Sequence, residues 1–252
     1  MKAVANLLLQ QWIHARAWVL VAAVFVAATF LAKYFVPWEV DPTLIPLARC
    51  QVIYGLTLVI GMVLLPALYA EAGRSQLTRN HRLFWRAQGL SDSKYFVAVC
   101  GICFVAAAAV VLAGTVILLL VRSVDLSVAS LIQSMILTYL AVIVCAPLAV
   151  GMTQWVNSSP ATLLTIVFNC VGLFGPASVN AARNTAGAKG EQVFWETVFT
   201  VIPQLRLGDQ SERITFCWPP IPMQGFVEAC GYLIGWTLFS FCIGYVCWRK
   251  RL

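Results

Sequence analysis

The chain has 252 residues, 61% of them hydrophobic and 11% charged, and carries a net charge of +7. A soluble chain with that balance could not cover its surface with polar groups, so composition excludes an ordinary soluble domain. The positive charge does not point to nucleic acid. Lys and Arg gather at the N-terminus (Lys2, Arg16), in the stretch holding Arg74, Arg79, Arg82, Arg86 and Lys94, and at the extreme C-terminus (Arg249, Lys250, Arg251), where membrane topology would place them.

The first 16 residues set Val4, Leu8 and Trp12 at four-residue steps, with Lys2, Gln10, Gln11 and Arg16 elsewhere, which predicts a helix lying in the membrane interface. Such a helix either anchors the chain or forms an elbow that couples motion at the surface to the first span. Six apolar windows follow, at 17–36, 51–70, 96–121, 128–150, 161–180 and 227–248. Each approaches the roughly 20 residues that a bilayer-spanning helix needs. The window at 17–36 is too long for the core of a signal peptide and has no small-residue cleavage site after it, so it is expected to remain as the first span. The expected fold is an all-α integral membrane protein, one six-span domain over residues 1–252.

After the second window comes the loop 71–95. Arg79, Arg82 and Arg86 recur at three- and four-residue spacing and share one face of a helix, with Leu77, Phe84 and Trp85 offering apolar contacts. Gly89 breaks that helix, and Ser91 or Asp92 is placed to cap the next. A basic amphipathic helix binds anionic lipid or docks a partner, and both readings stay open here. Between Asp125 and Arg183 there is no Asp, Glu, Lys or Arg, so windows four and five read as a helical hairpin turning at 151–160, around Asn157, Ser158 and Ser159.

The segment 181–226 is too long and too apolar for a plain connector. Lys189, Gln192, Glu196 and Thr200 form a polar stripe, while Phe194, Trp195, Val198 and Phe199 occupy the rest of an amphipathic helix that Pro203 stops. The stripe is expected to face water, and those apolar side chains to be buried against lipid or neighbouring spans. Pro219, Pro220 and Pro222 then forbid helix until the last window, so the segment reads as a re-entrant or interfacial hairpin. The positive-inside rule places both termini and 71–95 in the cytoplasm, and 181–226 outside.

The interior offers little chemistry. Gln133, Thr138 and Asn169 lie within windows and either line a path or hydrogen-bond between helices. Cys100, Cys103, Cys145, Cys170, Cys242 and Cys247 lie within apolar windows, where Cys packs as a small polarizable residue; Cys100 and Cys103 match a C-x-x-C spacing without the context of a redox motif. Cys50, Cys217 and Cys230 fall in or beside outward segments, where one disulfide is open. Histidine occurs only at His14 and His81, and no phosphate-binding loop, H-E-x-x-H or G-x-S-x-G occurs, so no enzyme, metal site or bound cofactor is expected.

Taken together, the interfacial start, six spans, the basic loop opening with Glu71-x-Gly73, Ile202-Pro203-Gln204-Leu205 ahead of Asp209, and the basic end from Trp248 to Leu252 resemble an ABC-2 type transporter permease. Members of that family often carry an aromatic residue where this chain has Gly208. The resemblance implies that 74–92 is a coupling helix, with Arg79, Arg82, Phe84, Trp85, Arg86 and Asp92 facing a separate ATPase subunit that holds ATP and Mg. It also implies export across a cell membrane, most simply a bacterial inner membrane, through a homo- or heterodimer of permeases. Trp195, Glu196, Phe199, Pro203 and Asp209 would belong to the outer hairpin. Two other readings stand beside it: a membrane module that transmits ATPase work to an extracytoplasmic protein without transport, and a small channel or secondary carrier.

Overall fold

The computed structural model describes residues 45–75, 91–121, 127–185 and 189–249, together with the isolated positions Ala23, Ala87 and Gly89. The expected interfacial helix at 1–16 and, apart from Ala23, the first apolar window lie outside the described residues. The described residues form helices joined by turns and irregular segments, without a strand. In chain order they form α1 (Ile45–Val59), a π-helical turn (Ile60–Leu64), α2 (Leu65–Ser75), α3 (Asp92–Val121), α4 (Val128–Ile143), α5 (Ala146–Met152), α6 (Ser158–Thr185), α7 (Lys189–Val201), a 3₁₀ turn (Leu205–Gly208), α8 (Ser211–Thr215) and α9 (Met223–Arg249). Among the described residues, five helical stretches are long and apolar enough to cross a membrane: Arg49–Arg74, Asp92–Leu120, Val128–Met152, Ser158–Asn184 and Met223–Arg249. The chain is a membrane protein built as a helix bundle.

Proline chemistry shapes two of these stretches. Pro66 has no N–H, so the carbonyl four residues earlier, that of Met62, loses its helical partner. The helix widens there into the π turn, closed by Leu65 N–H to the Ile60 carbonyl. The Asn169 amide on α6 donates to the Met62 carbonyl at 2.8 Å and takes the place of the missing backbone donor. In the fourth window, α4 ends at Ile143 and α5 restarts at Ala146, with Pro147 in its first turn. The expected turn after Gly151 is present, and α6 begins at Ser158.

Close backbone approach fixes the end of the bundle where α5 meets α9. A Cβ added to Gly151 would lie 2.2 Å from the Gly244 carbonyl oxygen, and one added to Gly244 would lie 2.2 Å from the Pro147 carbonyl oxygen. Small residues at a helix crossing let two backbones touch, which is the packing available where lipid removes the hydrophobic drive. Beside that crossing Phe96 packs on Phe241 at 5.1 Å and on Trp248 at 5.6 Å between ring centroids, with Trp248 fully buried. The Trp155 indole donates to the Cys247 carbonyl at 3.0 Å, and Arg74 donates to Ser158 Oγ at 3.1 Å. All nine cysteines are free thiols in this structure, Cys50, Cys217 and Cys230 among them.

Candidate functional site

At the opposite end of the bundle the connection from α6 to α9 folds back onto the helices. It is held there by side chains that reach its backbone. First comes α7, which packs along α6 with the Arg183 guanidinium 5.9 Å from the centre of the Phe199 ring. Trp195, Val198 and Phe199 are half-buried, whereas Gln192, Glu196 and Thr200 are exposed, so these three members of the polar stripe face away from the bundle as expected; the side chain of Lys189 lies outside what the structure describes. Phe194 is 59% exposed, so of the two expected surroundings, lipid or a neighbouring span, it lacks the span. The reason is helical phase, since 195, 198, 199 and 202 make the stripe that meets α6 and Phe194 falls beside it.

After α7 the chain turns inward. Pro203 is buried, and a Cβ on Gly172 of α6 would lie 3.0 Å from the Pro203 carbonyl oxygen and 2.6 Å from Leu205 Cγ, so that glycine admits the turn. The Tyr232 hydroxyl of α9 accepts from the Gln204 N–H at 3.1 Å and donates to the Ile202 carbonyl at 3.4 Å. The 3₁₀ turn then presses on α4. Thr138 Oγ1 donates to the Gly208 carbonyl at 2.9 Å, Tyr54 of α1 reaches the same carbonyl at 3.3 Å, and the two hydroxyls contact each other. A Cβ on Gly208 would lie 2.3 Å from Ala141 Cβ. The position where the resembling family often has an aromatic residue has no room here even for Ala. Asp209 is exposed, and its Oδ1 accepts from the Ser211 N–H at 3.1 Å, closing the turn into α8.

The last anchors lie on the first two turns of α4. Ser130 Oγ donates to the Trp218 carbonyl at 3.0 Å. The Gln133 amide pairs both ways with Ile221, donating to its carbonyl at 2.9 Å and accepting its N–H at 2.7 Å. Pro219, Pro220 and Pro222 have no N–H, so Ile221 carries the sole backbone donor of 219–222, and Gln133 takes it.

The residues expected from sequence are thereby placed as follows. Gln133 and Thr138 come together on the connection, as do Pro203 and Asp209 within it, while Asn169 sits apart, buried against the π turn with a second contact to Cys145 Sγ at 3.4 Å. Each of the three candidate path residues is hydrogen-bonded to backbone. Asp92 opens α3, where its charge favours the helix N-terminus. Arg79, Arg82, Phe84, Trp85 and Arg86 lie outside the described residues. Tyr54, Tyr232, Ser130 and Gly172 were not singled out by sequence reasoning; the tyrosines looked like ordinary window aromatics, and no local pattern distinguishes them. Gly89, at φ +74°, lies in a turn ahead of α3, and the helix it is expected to break lies outside the described residues.

Compared with models of protein families, with curated protein sequences and with solved structures, the chain matches none.

Proposed function

We propose that the chain is the permease subunit of an ABC-2 type transporter, driven by a separate ATPase and paired with a second permease. The observation that carries this reading is the long α6–α9 connection, folded back by side-chain anchors onto the bundle end away from the end of α2 at Ser75 and the start of α3 at Asp92. In a permease that end is the exit. The sixth span is the apolar window at 17–36, and the chain then starts and finishes on the cytoplasmic side. ATP and Mg belong to the ATPase. The basic face of Arg79, Arg82 and Arg86 receives its motion, and α3, entered through Asp92, carries that motion toward the clasp at Gly208.

A second reading keeps the same partner without transport: the bundle passes ATPase work to an extracytoplasmic protein. It is favoured by the hydrogen bonding of Gln133, Thr138 and Asn169 to backbone, which leaves these residues holding helices together. The test of the leading reading is co-purification. Reversing Arg79, Arg82 and Arg86 to Glu should abolish recovery of the ATPase with the permease in detergent while membrane insertion persists. Normal recovery would leave the basic face as a lipid contact and sink the coupling role. ATP-dependent export from reconstituted vesicles then separates the first reading from the second.

A further inference from the structure

We propose that Phe216 and Trp218 form an aromatic wedge that seats the α6–α9 connection in the lipid headgroup layer at that end of the bundle. The two rings stack at 6.2 Å with 26° between their planes, and both stand out from the protein, Phe216 57% and Trp218 46% exposed. Their presentation is fixed. Cys217 between them has φ 52°, a left-handed conformation that a non-glycine residue adopts at a cost of roughly 1–2 kcal/mol. The Trp218 N–H closes back on the Arg213 carbonyl at 3.0 Å, which ends α8 and turns both rings to one side. Arg213 braces the wedge: its Nε donates to Gln210 Oε1 at 3.1 Å, its guanidinium lies 6.0 Å from the centre of the Trp218 ring, and it donates to the Pro219 carbonyl.

Depth identifies the occupant. Ser130, bonded to the Trp218 carbonyl, lies in the first turn of the membrane-length stretch Val128–Met152. Gln133, bonded to Ile221, lies three residues further along the same helix, about 4.5 Å deeper at 1.5 Å per residue. The chain from 218 to 221 therefore descends beside α4 at the level where the apolar span begins, and α9 continues from Met223. The neighbouring surface is lipid-facing in character, with Val128 70% and Met223 71% exposed. An aromatic pair with an Arg against its ring, at the boundary of the apolar span, fits the headgroup region, where a flat amphipathic ring keeps one edge wet. This inference depends on the membrane-spanning fold and not on the transporter reading.

The test replaces Phe216, Trp218 and, separately, the exposed Glu212 with a photoreactive benzophenone amino acid in the full chain, reconstituted in phosphatidylcholine vesicles. Lipid adducts are expected from positions 216 and 218 and should be lost at 212. Absence of lipid adducts at 216 and 218, or cross-links there to a second protein, would overturn the proposal. So would equal lipid labelling at 212, which would put the whole connection in the bilayer. A second variant guards against a folding artefact: Phe216→Ser with Trp218→Ser should raise protease cleavage of 202–222 in vesicles and leave the thermal midpoint in detergent unchanged. A fall in that midpoint would assign the rings to folding instead.

Discussion

The two ends of this bundle are closed by different physics. Where α5 crosses α9, backbone meets backbone at Gly151 and Gly244, and an aromatic cluster around Phe96 and Trp248 fills the space beside it. Where the α6–α9 connection returns, irregular backbone is tied down by hydroxyls and one amide: Tyr54, Thr138, Ser130, Gln133 and Tyr232. Close packing has few alternatives and resists small displacements. The bonds of Ser130 and Gln133, on the first two turns of α4, can be exchanged for water at small net cost, whereas those of Thr138 and Tyr54 are buried. The difference implies a rigid end, and an end whose outer bonds at Ser130 and Gln133 can open without unfolding the bundle.

The largest effect should come from attacking the rigid end. Gly244→Ala puts a methyl 2.2 Å from the Pro147 carbonyl oxygen, a backbone atom in a short helix that cannot swing aside. Overpacking of a closed site costs about 1–3 kcal/mol and more where backbone must move, so this variant should lose its monodisperse peak in detergent or show a sharply lowered thermal midpoint. Gly151→Ala should match it. If either variant retains the wild-type midpoint, the crossing is looser than described and the contrast between the ends collapses.

Gly208→Ala should come next, at about 1–3 kcal/mol, because its methyl would meet Ala141 Cβ at 2.3 Å. Here the neighbour is a side chain, so the clash has a remedy. Gly208→Ala combined with Ala141→Gly should recover most of the loss, though not all, since the Leu137 carbonyl oxygen would still lie 3.1 Å away. Limited proteolysis of 202–222 reads the single and double variants side by side. A double variant as sensitive as the single one would mean that the Gly208 turn is held by something other than its fit to α4.

How much of this was legible in the sequence varies with the kind of signal. Apolar windows found all five membrane-length helices among the described residues, because span length and hydropathy are set by the bilayer alone. Pro203 and the run at 219–222 marked where helix must stop, because proline acts on its own backbone. Gln133 and Thr138 stood out as polar in apolar surroundings, yet their partners at Ile221 and Gly208 lie 88 and 70 residues away and are backbone atoms that no residue type advertises. Asn169 is the instructive case. Its partner was written into the chain by Pro66, whose missing N–H leaves the Met62 carbonyl unmet, but reading that pairing requires knowing that α6 lies beside the π turn. The glycines at 151, 172 and 244 carry no local mark either, since their meaning is a tertiary distance.

The smallest and most local effect should follow from loosening the clasp at Gln133. Gln133→Leu removes both bonds to Ile221, while Pro219 and Pro220 beside it are exposed, so water can replace what is lost. Net loss should be about 1 kcal/mol or less, in line with polar contacts in membrane proteins, and the thermal midpoint should barely move. Hydrogen exchange gives a sharper reading. Ile221 has the sole amide hydrogen of 219–222, so its exchange rate reports the clasp and nothing else in that stretch. It should rise by at most the roughly fivefold that 1 kcal/mol corresponds to, with the amides of α5 and α9 near Gly244 unaffected. Gln133→Glu should fall between wild type and Leu, because a carboxylate still accepts the Ile221 N–H but cannot donate to its carbonyl. Faster exchange spreading to the α5–α9 crossing in the Leu variant would mean that the two ends open together, and that the clasp is part of the folding core instead of a separable closure.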